Sequence, residues 1–192
     1  DDVAETFLMR ALRGSGVTGL ARMARRTAMP DAATAVQLVR PLLNWTRTEL
    51  AAIAPDGVDD PSNRDLHYDR ARIRALLANI PELDPAPLAR AAAHLVEADD
   101  ALEWLATQAW RSRATIAPQS IAIDIADLPD ETCRRLAARA IRALAPMWSS
   151  DGLDRLVASL EQGKTGTLAG VKARADDGKW HFGIAPAHRR HR

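Results

Sequence analysis

Apolar residues recur three and four positions apart in five stretches of this 192-residue chain, which predicts a largely helical fold. The predicted helices cover residues 1–13, 65–80, 88–112, 130–144 and 151–162, and the capping-box spacing of Thr46-Arg47-Thr48-Glu49 predicts a further short helix to about residue 54. A proline-rich stretch, residues 81–87, separates the second helix from the third, and we expect a domain boundary there. Aromatic residues make up only 4% of the chain, so Ala, Leu, Ile and Val must fill most of the core.

A smaller amount of β-structure is predicted beside the helices. Residues 36–39 and 121–125 have the apolar pattern of short strands. Asp177-Gly178 is a strong signal for a type I′ turn and predicts a C-terminal β-hairpin. Counting outward from this turn pairs Ala175 with Trp180, Ala173 with Phe182, and Val171 with Ile184. Because all three pairs fall on one face, the register is self-consistent. The predicted fold class is mainly α with minor β.

Composition and charge restrict the class of protein. The single Cys133 excludes an internal disulfide framework and a cysteine-rich metal site, and it suits a reducing compartment. No stretch has the pattern of a membrane span or a signal peptide, so we expect a cytoplasmic protein without a membrane partner. The net charge of +1 conceals two basic ends, residues 1–26 and 164–192, around an acidic middle. Such ends suit a polyanionic partner, although a flexible basic tail has the same composition.

One apparent nucleotide-binding motif fails on its context. Residues 158–165 end in Gly163-Lys164-Thr165 and nearly match the phosphate loop G-x-x-x-x-G-K-[ST]. That loop needs a strand before it and a helix after it, so that the helix N-terminus faces the phosphates. Here a helix is predicted before the motif and a hairpin after it. We therefore assign these residues to helix capping.

The first helix carries acidic side chains at helical spacing. Asp2 precedes Glu5 by three positions and Asp1 precedes it by four, while Thr6 lies one turn beyond Asp2. These residues fall opposite the apolar stripe, which predicts that they face solvent. Such a cluster is able to hold Mg²⁺ or to neutralise an ammonium group. A solvated helix face has the same spacing and is the more frequent case, so only Asp2 is named as a candidate Mg²⁺ ligand and no metal site is certain.

A pair of arginines marks the second helix. Arg70 and Arg74 are four positions apart and follow a turn at residues 60–63. Two guanidinium groups at this spacing are suited to bind phosphates through paired hydrogen bonds. The alternative is that both are surface arginines paired with Asp65 or Asp69.

Three ordered motifs together resemble the tRNA(Ile)-lysidine synthetase family of N-type ATP pyrophosphatases, also called PP-loop proteins. The first is Asp1-Asp2-Val3-Ala4-Glu5-Thr6, followed by Arg13-Gly14-Ser15-Gly16, where glycine also ends the helix. The second is Arg40-Pro41-Leu42-Leu43 with Arg47 and Glu49. The third is Asp60-Pro61-Ser62-Asn63 with Tyr68, Arg70 and Arg74, and it has Ala71 where the family usually has Asn. The resemblance is strong over residues 1–80 and weaker beyond them.

The resemblance implies an enzyme, a C–N ligase that converts ATP to AMP and pyrophosphate. Its reaction joins free lysine to the wobble cytidine of tRNA(Ile) with a CAU anticodon, with ATP and Mg²⁺ as cofactors. Asp2 and Glu5 would then be catalytic. Arg13, Arg40, Arg70 and Arg74 would bind phosphates of ATP or of tRNA. The motif residues with a structural role would be Thr6, Gly14, Gly16, Asp60, Ser62 and Asn63.

The resemblance also implies how the chain is organised. Residues 1–82 would be the C-terminal part of a PP-loop ATPase domain, a truncated remnant of an α/β adenine-nucleotide α-hydrolase-like fold. Residues 83–192 would form a helical tRNA-binding domain that ends in the hairpin, and a homodimer is left open. The family's ATP-gripping S-G-G-x-D-S loop precedes the first motif, so we expect this chain to be a fragment that is inactive alone. Two alternatives remain, namely another PP-loop tRNA-modifying ATPase and a noncatalytic helical RNA-binding module.

Overall fold

The computed structural model describes residues 1–28, 36–54, 69–80 and 82–185. The chain forms two compact units, residues 1–100 and 101–192, and the boundary between them along the chain falls within one long helix. The predicted division at residues 82 and 83 precedes that helix, and as a division by function it stays a prediction. In the part of the chain that the structure describes, no helix is both long and apolar enough to cross a membrane.

Helices dominate the first unit. They are α1 (Asp2–Leu12), α2 (Val17–Leu20), α3 (Arg47–Ile53), α4 (Asp69–Asn79) and the start of α5 (Pro85–Arg113). A two-stranded antiparallel ribbon joins β1 (Arg26–Ala28) to β2 (Gln37–Val39). Helices α1, α3, α4 and α5 and the strand near residues 36–39 were predicted, whereas β1 was not, because its three residues have no apolar alternation.

Local signals in the sequence account for the ends of two helices. Gly14 has φ +68 and donates its backbone N–H to the carbonyl of Ala11 at 3.0 Å, as glycine permits at a helix C-terminus. At the start of α3, the hydroxyl of Thr46 accepts a hydrogen bond from the backbone N–H of Glu49, and the Glu49 carboxylate accepts one from the backbone N–H of Thr46. α1 then packs against α4, with Ala4, Ala71 and Ile73 buried. The small Ala4 and Ala71 side chains suit a close helix–helix approach.

The second unit is built on a five-stranded antiparallel sheet. Its strands are β3 (Ala114–Ala117), β4 (Ser120–Asp124), β5 (Thr165–Leu168), β6 (Val171–Asp176) and β7 (Lys179–Ile184), in the spatial order β3-β4-β7-β6-β5. Two helices, α6 (Asp130–Leu144) and α7 (Leu153–Glu161), pack on one face of this sheet. The core between them contains Ile121, Ile123, Leu136, Ile141, Trp180 and Phe182.

The predicted turn and register of the hairpin are confirmed. Ala175 pairs with Trp180, Ala173 with Phe182 and Val171 with Ile184. Asp177 and Gly178 both have positive φ, 45° and 71°, as a type I′ turn requires. The hairpin pairs with a further strand on each side, so this unit contains more β-structure beside its helices than was predicted. The edge strands β3 and β5 escaped prediction because Ala-Thr-Ile-Ala and Thr-Gly-Thr-Leu are short and weakly apolar.

The rejected phosphate-loop motif lies between a helix and a strand, as predicted. Gly163 has φ +70 and donates its backbone N–H to the carbonyl of Leu160 at 2.9 Å, which ends α7. The Lys164 ammonium donates to the side-chain oxygen of Gln162 at 2.7 Å. β5 begins at the next residue, so no helix N-terminus faces this loop.

Candidate functional site

The candidate site lies within the first unit, where the first turn of α1 meets α3 and α4. Its centre is the carboxylate of Glu5, whose side chain is 2% exposed. Glu5 lies one turn along α1 from Asp1 and next to the buried Ala4. A carboxylate in such a place is stable only when charged donors surround it, because burial removes its hydration.

Three guanidinium groups supply those donors. Arg47, the first residue of α3, donates from Nη2 to Glu5 Oε1 at 2.7 Å. Arg74 Nε donates to the same oxygen at 3.2 Å, and Arg70 Nε donates to Oε2 at 3.0 Å. Both oxygens of Glu5 are therefore occupied by charge-assisted hydrogen bonds from two different helices.

The two aspartates at the start of α1 extend this cluster. Asp2 Oδ1 accepts a hydrogen bond from Arg47 Nη2 at 3.2 Å and lies 3.5 Å from Arg70 Nη2. Asp1 Oδ2 accepts from the backbone N–H of Arg47 at 2.9 Å. The carboxylate of Asp1 thereby binds the positively polarised N-terminus of α3, which orients Arg47 toward Glu5.

Exposure separates the roles that these side chains are able to play. The Asp2 side chain is 53% exposed, whereas Glu5 is buried beneath the arginines. The side chains of Arg47, Arg70 and Arg74 are 40%, 46% and 31% exposed. Glu5 thus orients three guanidinium groups that remain accessible to solvent, an arrangement suited to bind an anion such as a phosphate.

The structure corrects the prediction that Glu5 faces solvent. Helical spacing placed Glu5 opposite the apolar stripe, but the three arginines cover it from α3 and α4. Asp69 was one of the two alternative partners considered for Arg70 and Arg74. In the structure it pairs instead with Arg13 and with Arg72. Asp65, the other alternative, lies outside the described residues.

The other predicted site residues lie apart from this cluster or outside the described residues. Arg13 pairs with Asp69, and its guanidinium holds the pKa of that exposed carboxyl below its usual value. Arg40 donates from Nη1 to the carbonyl of Ala24 at 3.1 Å and to Thr27 Oγ1 at 3.2 Å, so it fastens β1 and β2. Of the remaining predicted residues, Thr6 is half-buried, and Gly14 and Gly16 are exposed. Asp60, Ser62 and Asn63 lie outside the described residues.

Sequence reasoning did not assign a site role to Arg47. The residue was noted only within the second motif, between Arg40 and Glu49. The signal was the capping box at Thr46, which fixes Arg47 as the first residue of a helix. The sequence alone did not predict that the N-terminus of this helix lies beside α1.

The donor set limits the metal that this site is able to hold. Within the described ranges, no three His, Cys, Asp or Glu residues come together as a metal cluster. Glu5 is fully engaged by arginines, so it does not fit a Mg²⁺ ligand. Asp2 does fit, because it is exposed and Mg²⁺ usually takes one or two protein carboxylates together with phosphates and water.

Comparison with known proteins places this cluster in a family. Residues 1–81 match the family model of the PP-loop domain. A tRNA(Ile)-lysidine synthase of Novosphingobium aromaticivorans is 42% identical over 98% of this chain. Over nearly its whole length, the chain is similar to tRNA(Ile)-lysidine synthases. A second such synthase, from Zymomonas mobilis, is 36% identical over 99% of the chain, and a third, from Bradyrhizobium diazoefficiens, is 35% identical over 93%.

The chain spans only part of those relatives. It covers 59% of the Novosphingobium and Zymomonas proteins and 54% of the Bradyrhizobium protein. The similarity nevertheless extends beyond the PP-loop match and includes the sheet-containing second unit. The similarity to these synthases therefore covers both units, and the candidate cluster lies within the part that matches the PP-loop domain.

Proposed function

We propose that this chain belongs to an enzyme that joins free lysine to the wobble cytidine of tRNA(Ile) with a CAU anticodon, at the expense of ATP. The observation that supports this most directly is the buried Glu5 beneath three accessible arginines, within the residues that match a PP-loop domain. The names of the relatives favour this activity over a noncatalytic RNA-binding module. The cytoplasm, where tRNA is modified, is the expected location.

We assign Arg47, Arg70 and Arg74 to the phosphates of ATP. Their exposed guanidinium groups converge on one point, and Glu5 holds them there through both of its oxygens. Pre-oriented donors stabilise the charge that develops during transfer of the adenylyl group without reorganising at that moment. In this proposal Glu5 is a positioning residue, because its contacts are to arginines.

We assign Asp2 to the lysine substrate. Its carboxylate is half exposed and lies at the edge of the arginine cluster. When the lysine Nε forms its bond to C2 of the cytidine, the bond from C2 to the adenylated oxygen breaks, and AMP leaves. The attacking amine then loses a proton, which a neighbouring carboxylate is suited to accept. Mg²⁺, when bound through Asp2, would neutralise phosphate charge.

The arginines predicted to bind phosphates divide into two groups under this proposal. Arg70 and Arg74 keep that role. Arg40 and Arg13 would instead stabilise the fold, Arg40 through its hydrogen bond to Thr27 and Arg13 through its ion pair with Asp69. Residues 83–192 would bind the body of the tRNA.

The activity is tested with the full-length protein that contains this chain. The protein is incubated with ATP, Mg²⁺, labelled lysine and a CAU-anticodon tRNA(Ile) transcript, and lysidine is identified by mass spectrometry of the digested nucleosides. A transcript with a different anticodon serves as the control substrate. We expect lysidine in the first transcript only. Absence of lysidine from both, with a folded protein that binds ATP, would refute the proposed reaction.

A further inference from the structure

A cavity of about 460 Å³ opens in the second unit, where the hairpin turn faces the first turn of α6 and the last turn of α7. Its apolar floor includes Leu128, Leu160 and Trp180, which are buried or half-buried. Sites for small ligands usually have a volume of about 300–1,000 Å³ and mostly apolar walls, so this cavity has the size of such a site. None of the described residues that line it belongs to the candidate site of the first unit.

An unpaired hydrogen-bond donor opens into this cavity. Trp180 is only 2% exposed, and its indole N–H donates to none of the residues that the structure describes. Trp148, by contrast, donates its indole N–H to the carbonyl of Asp151 at 3.0 Å. In the described part of the chain, no side-chain nitrogen or oxygen is both unpaired and closed off from solvent. The Trp180 N–H therefore reaches the open space that this residue lines, and it favours a ligand with an acceptor oxygen.

Three carboxylates at the rim of the cavity have no partner of opposite charge. Asp130 begins α6, Glu161 ends α7, and Asp177 lies in the hairpin turn. All three are exposed and line the cavity, and none of them forms an ion pair within the described ranges. Asp130 and Glu161 also act on the cavity wall, where burial raises the pKa of the Cys133 thiol and these two carboxylates raise it further.

The other charged residues that line the cavity do not cancel this charge. Asp176 is paired with Arg174, whose Nη1 lies 2.8 Å from its carboxylate. Lys179, opposite Asp176 in the strand register, is the one basic residue among the described lining residues. The rim therefore carries three negative charges against one positive charge.

We propose that this cavity binds a free amino acid with a guanidinium side chain, such as L-arginine. The guanidinium and α-ammonium groups would pair with the rim carboxylates, and the α-carboxylate would accept the hydrogen bond from Trp180. The methylene groups between them would lie on the apolar floor. The two positive charges and one negative charge of this ligand complement the three negative charges and one positive charge of the rim.

The rim favours a guanidinium over an ammonium group or a metal ion. Its three carboxylates belong to two helices and a turn, and the five N–H groups of a planar guanidinium are able to reach more than one of them. A guanidinium is also more weakly hydrated than an ammonium, so it loses less hydration on entering an apolar cavity. A metal ion has no support, since His, Cys, Asp and Glu form no cluster of three or more within the described ranges.

The test uses the full-length protein that contains this chain, labelled with ¹⁵N at the tryptophan indoles. The N–H signal of Trp180 is the one that is missing in Trp180→Phe, and it is followed by NMR during titration at constant ionic strength. The probes are L-arginine, its neutral analogue L-citrulline, and agmatine, which is arginine without the carboxylate. Because the observed group lines the cavity, ligand bound elsewhere should leave its signal in place.

The variant that tests the rim is Glu161→Gln, with Glu97→Gln as its matched control. Glu161 lies at the negatively polarised end of α7, so removal of its charge should not destabilise the helix. Glu97 is an exposed glutamate of α5 and is not among the described residues that line the cavity. Thermal melting by circular dichroism verifies that both variants fold like the parent protein.

We expect L-arginine to shift the Trp180 signal to saturation, Glu161→Gln to raise the apparent Kd about five- to tenfold, and Glu97→Gln to leave it within about twofold. Citrulline and agmatine should bind at least about tenfold more weakly, because the first lacks the positive charge and the second lacks the acceptor. An unchanged Trp180 signal at millimolar arginine would overturn the proposal. Citrulline or agmatine that binds as tightly as arginine, or equal losses in the two variants, would also overturn it.

The outcome is separate from that of the proposed function, since the cavity and the candidate site lie in different units. If lysidine forms but arginine leaves the Trp180 signal unchanged, only the cavity assignment is wrong. If arginine binds as expected but no lysidine forms, the assignment stands and the proposed reaction is wrong.

Discussion

The Glu5 carboxylate accepts a 2.7 Å hydrogen bond from Arg47, a residue 42 positions later, although only 2% of the Glu5 side chain is exposed. Arg70 and Arg74 also donate to it. Replacing Glu5 with Gln removes the charge that offsets three guanidinium groups. We therefore expect Glu5→Gln to lower the free energy of unfolding by about 3 kcal/mol, measured by urea denaturation.

The control for that prediction is Asp2→Asn on the same helix. Asp2 is 53% exposed, and exposed ion pairs contribute less than about 1 kcal/mol. If Glu5→Gln is as stable as Asp2→Asn, the buried carboxylate does not hold the three helices together. That result would instead support the expectation from helical spacing alone, namely that neither acid is needed for folding.

Arg47 is predicted to bind phosphate, although its motif did not lead us to assign it to the site. Arg47→Ala in the full-length enzyme should raise KM for ATP about tenfold or more, the scale of one lost charge-assisted hydrogen bond. Arg47→Lys should not restore it, since Arg47 contacts both Glu5 and Asp2 through Nη2, and an ammonium has no second nitrogen to bind a phosphate at the same time. Steady-state kinetics measures both variants.

The matched control for Arg47 is Arg72→Ala. Arg72 is an exposed arginine of α4 that pairs with Asp69 and makes no contact with Glu5 among the described interactions. Its KM for ATP should stay within about twofold of the parent. Equal effects at Arg72 and Arg47 would indicate a general loss of positive charge and would contradict the specific role of the cluster.

The hairpin turn provides a prediction about stability in the second unit. Gly178 has φ +71, a conformation that a β-branched residue adopts only with strain. Gly178→Val should destabilise the protein by about 1–2 kcal/mol in urea denaturation. Gly16→Val is the control, because Gly16 has φ −72 and open space around its Cβ position. A smaller loss at Gly178 than at Gly16 would exclude the type I′ turn.

Cys133 is predicted to be an unreactive thiol in the folded protein. Burial raises its pKa, and nearby Asp130 and Glu161 raise it further, so little thiolate is present near pH 8. Labelling with a disulfide reagent at pH 8 should be at least about tenfold slower than in urea. Rapid labelling of the native protein would show that α6 does not shield this side chain.

Features that depend on residues close together in the sequence were predictable, whereas features that depend on distant residues were not. The hairpin register followed from Asp177-Gly178 and the alternation beside it, because both are local. The capping box at Thr46 was local in the same way. The edge strand β5 escaped notice because its pairing with β6 comes from a partner strand and not from its own composition.

The candidate site shows the same limit more sharply. Asp2, Glu5, Arg70 and Arg74 were selected from motifs, and the structure brings all four together. Their arrangement was not predictable, because a buried carboxylate and a solvated one have the same helical spacing. The difference lies in Arg47, whose approach depends on the packing of α3 against the start of α1.

The central claim is that Glu5 and Asp2 have different roles in the site. Steady-state kinetics of Glu5→Gln and Asp2→Asn in the full-length enzyme, measured below the unfolding temperature of both variants, test it most directly. If Glu5 orients the arginines for ATP, Glu5→Gln raises KM for ATP about tenfold or more and leaves KM for lysine within about twofold. Asp2→Asn lowers kcat about a hundredfold, the scale of a lost proton acceptor. A Glu5→Gln enzyme with normal KM for ATP and an altered KM for lysine would contradict the account.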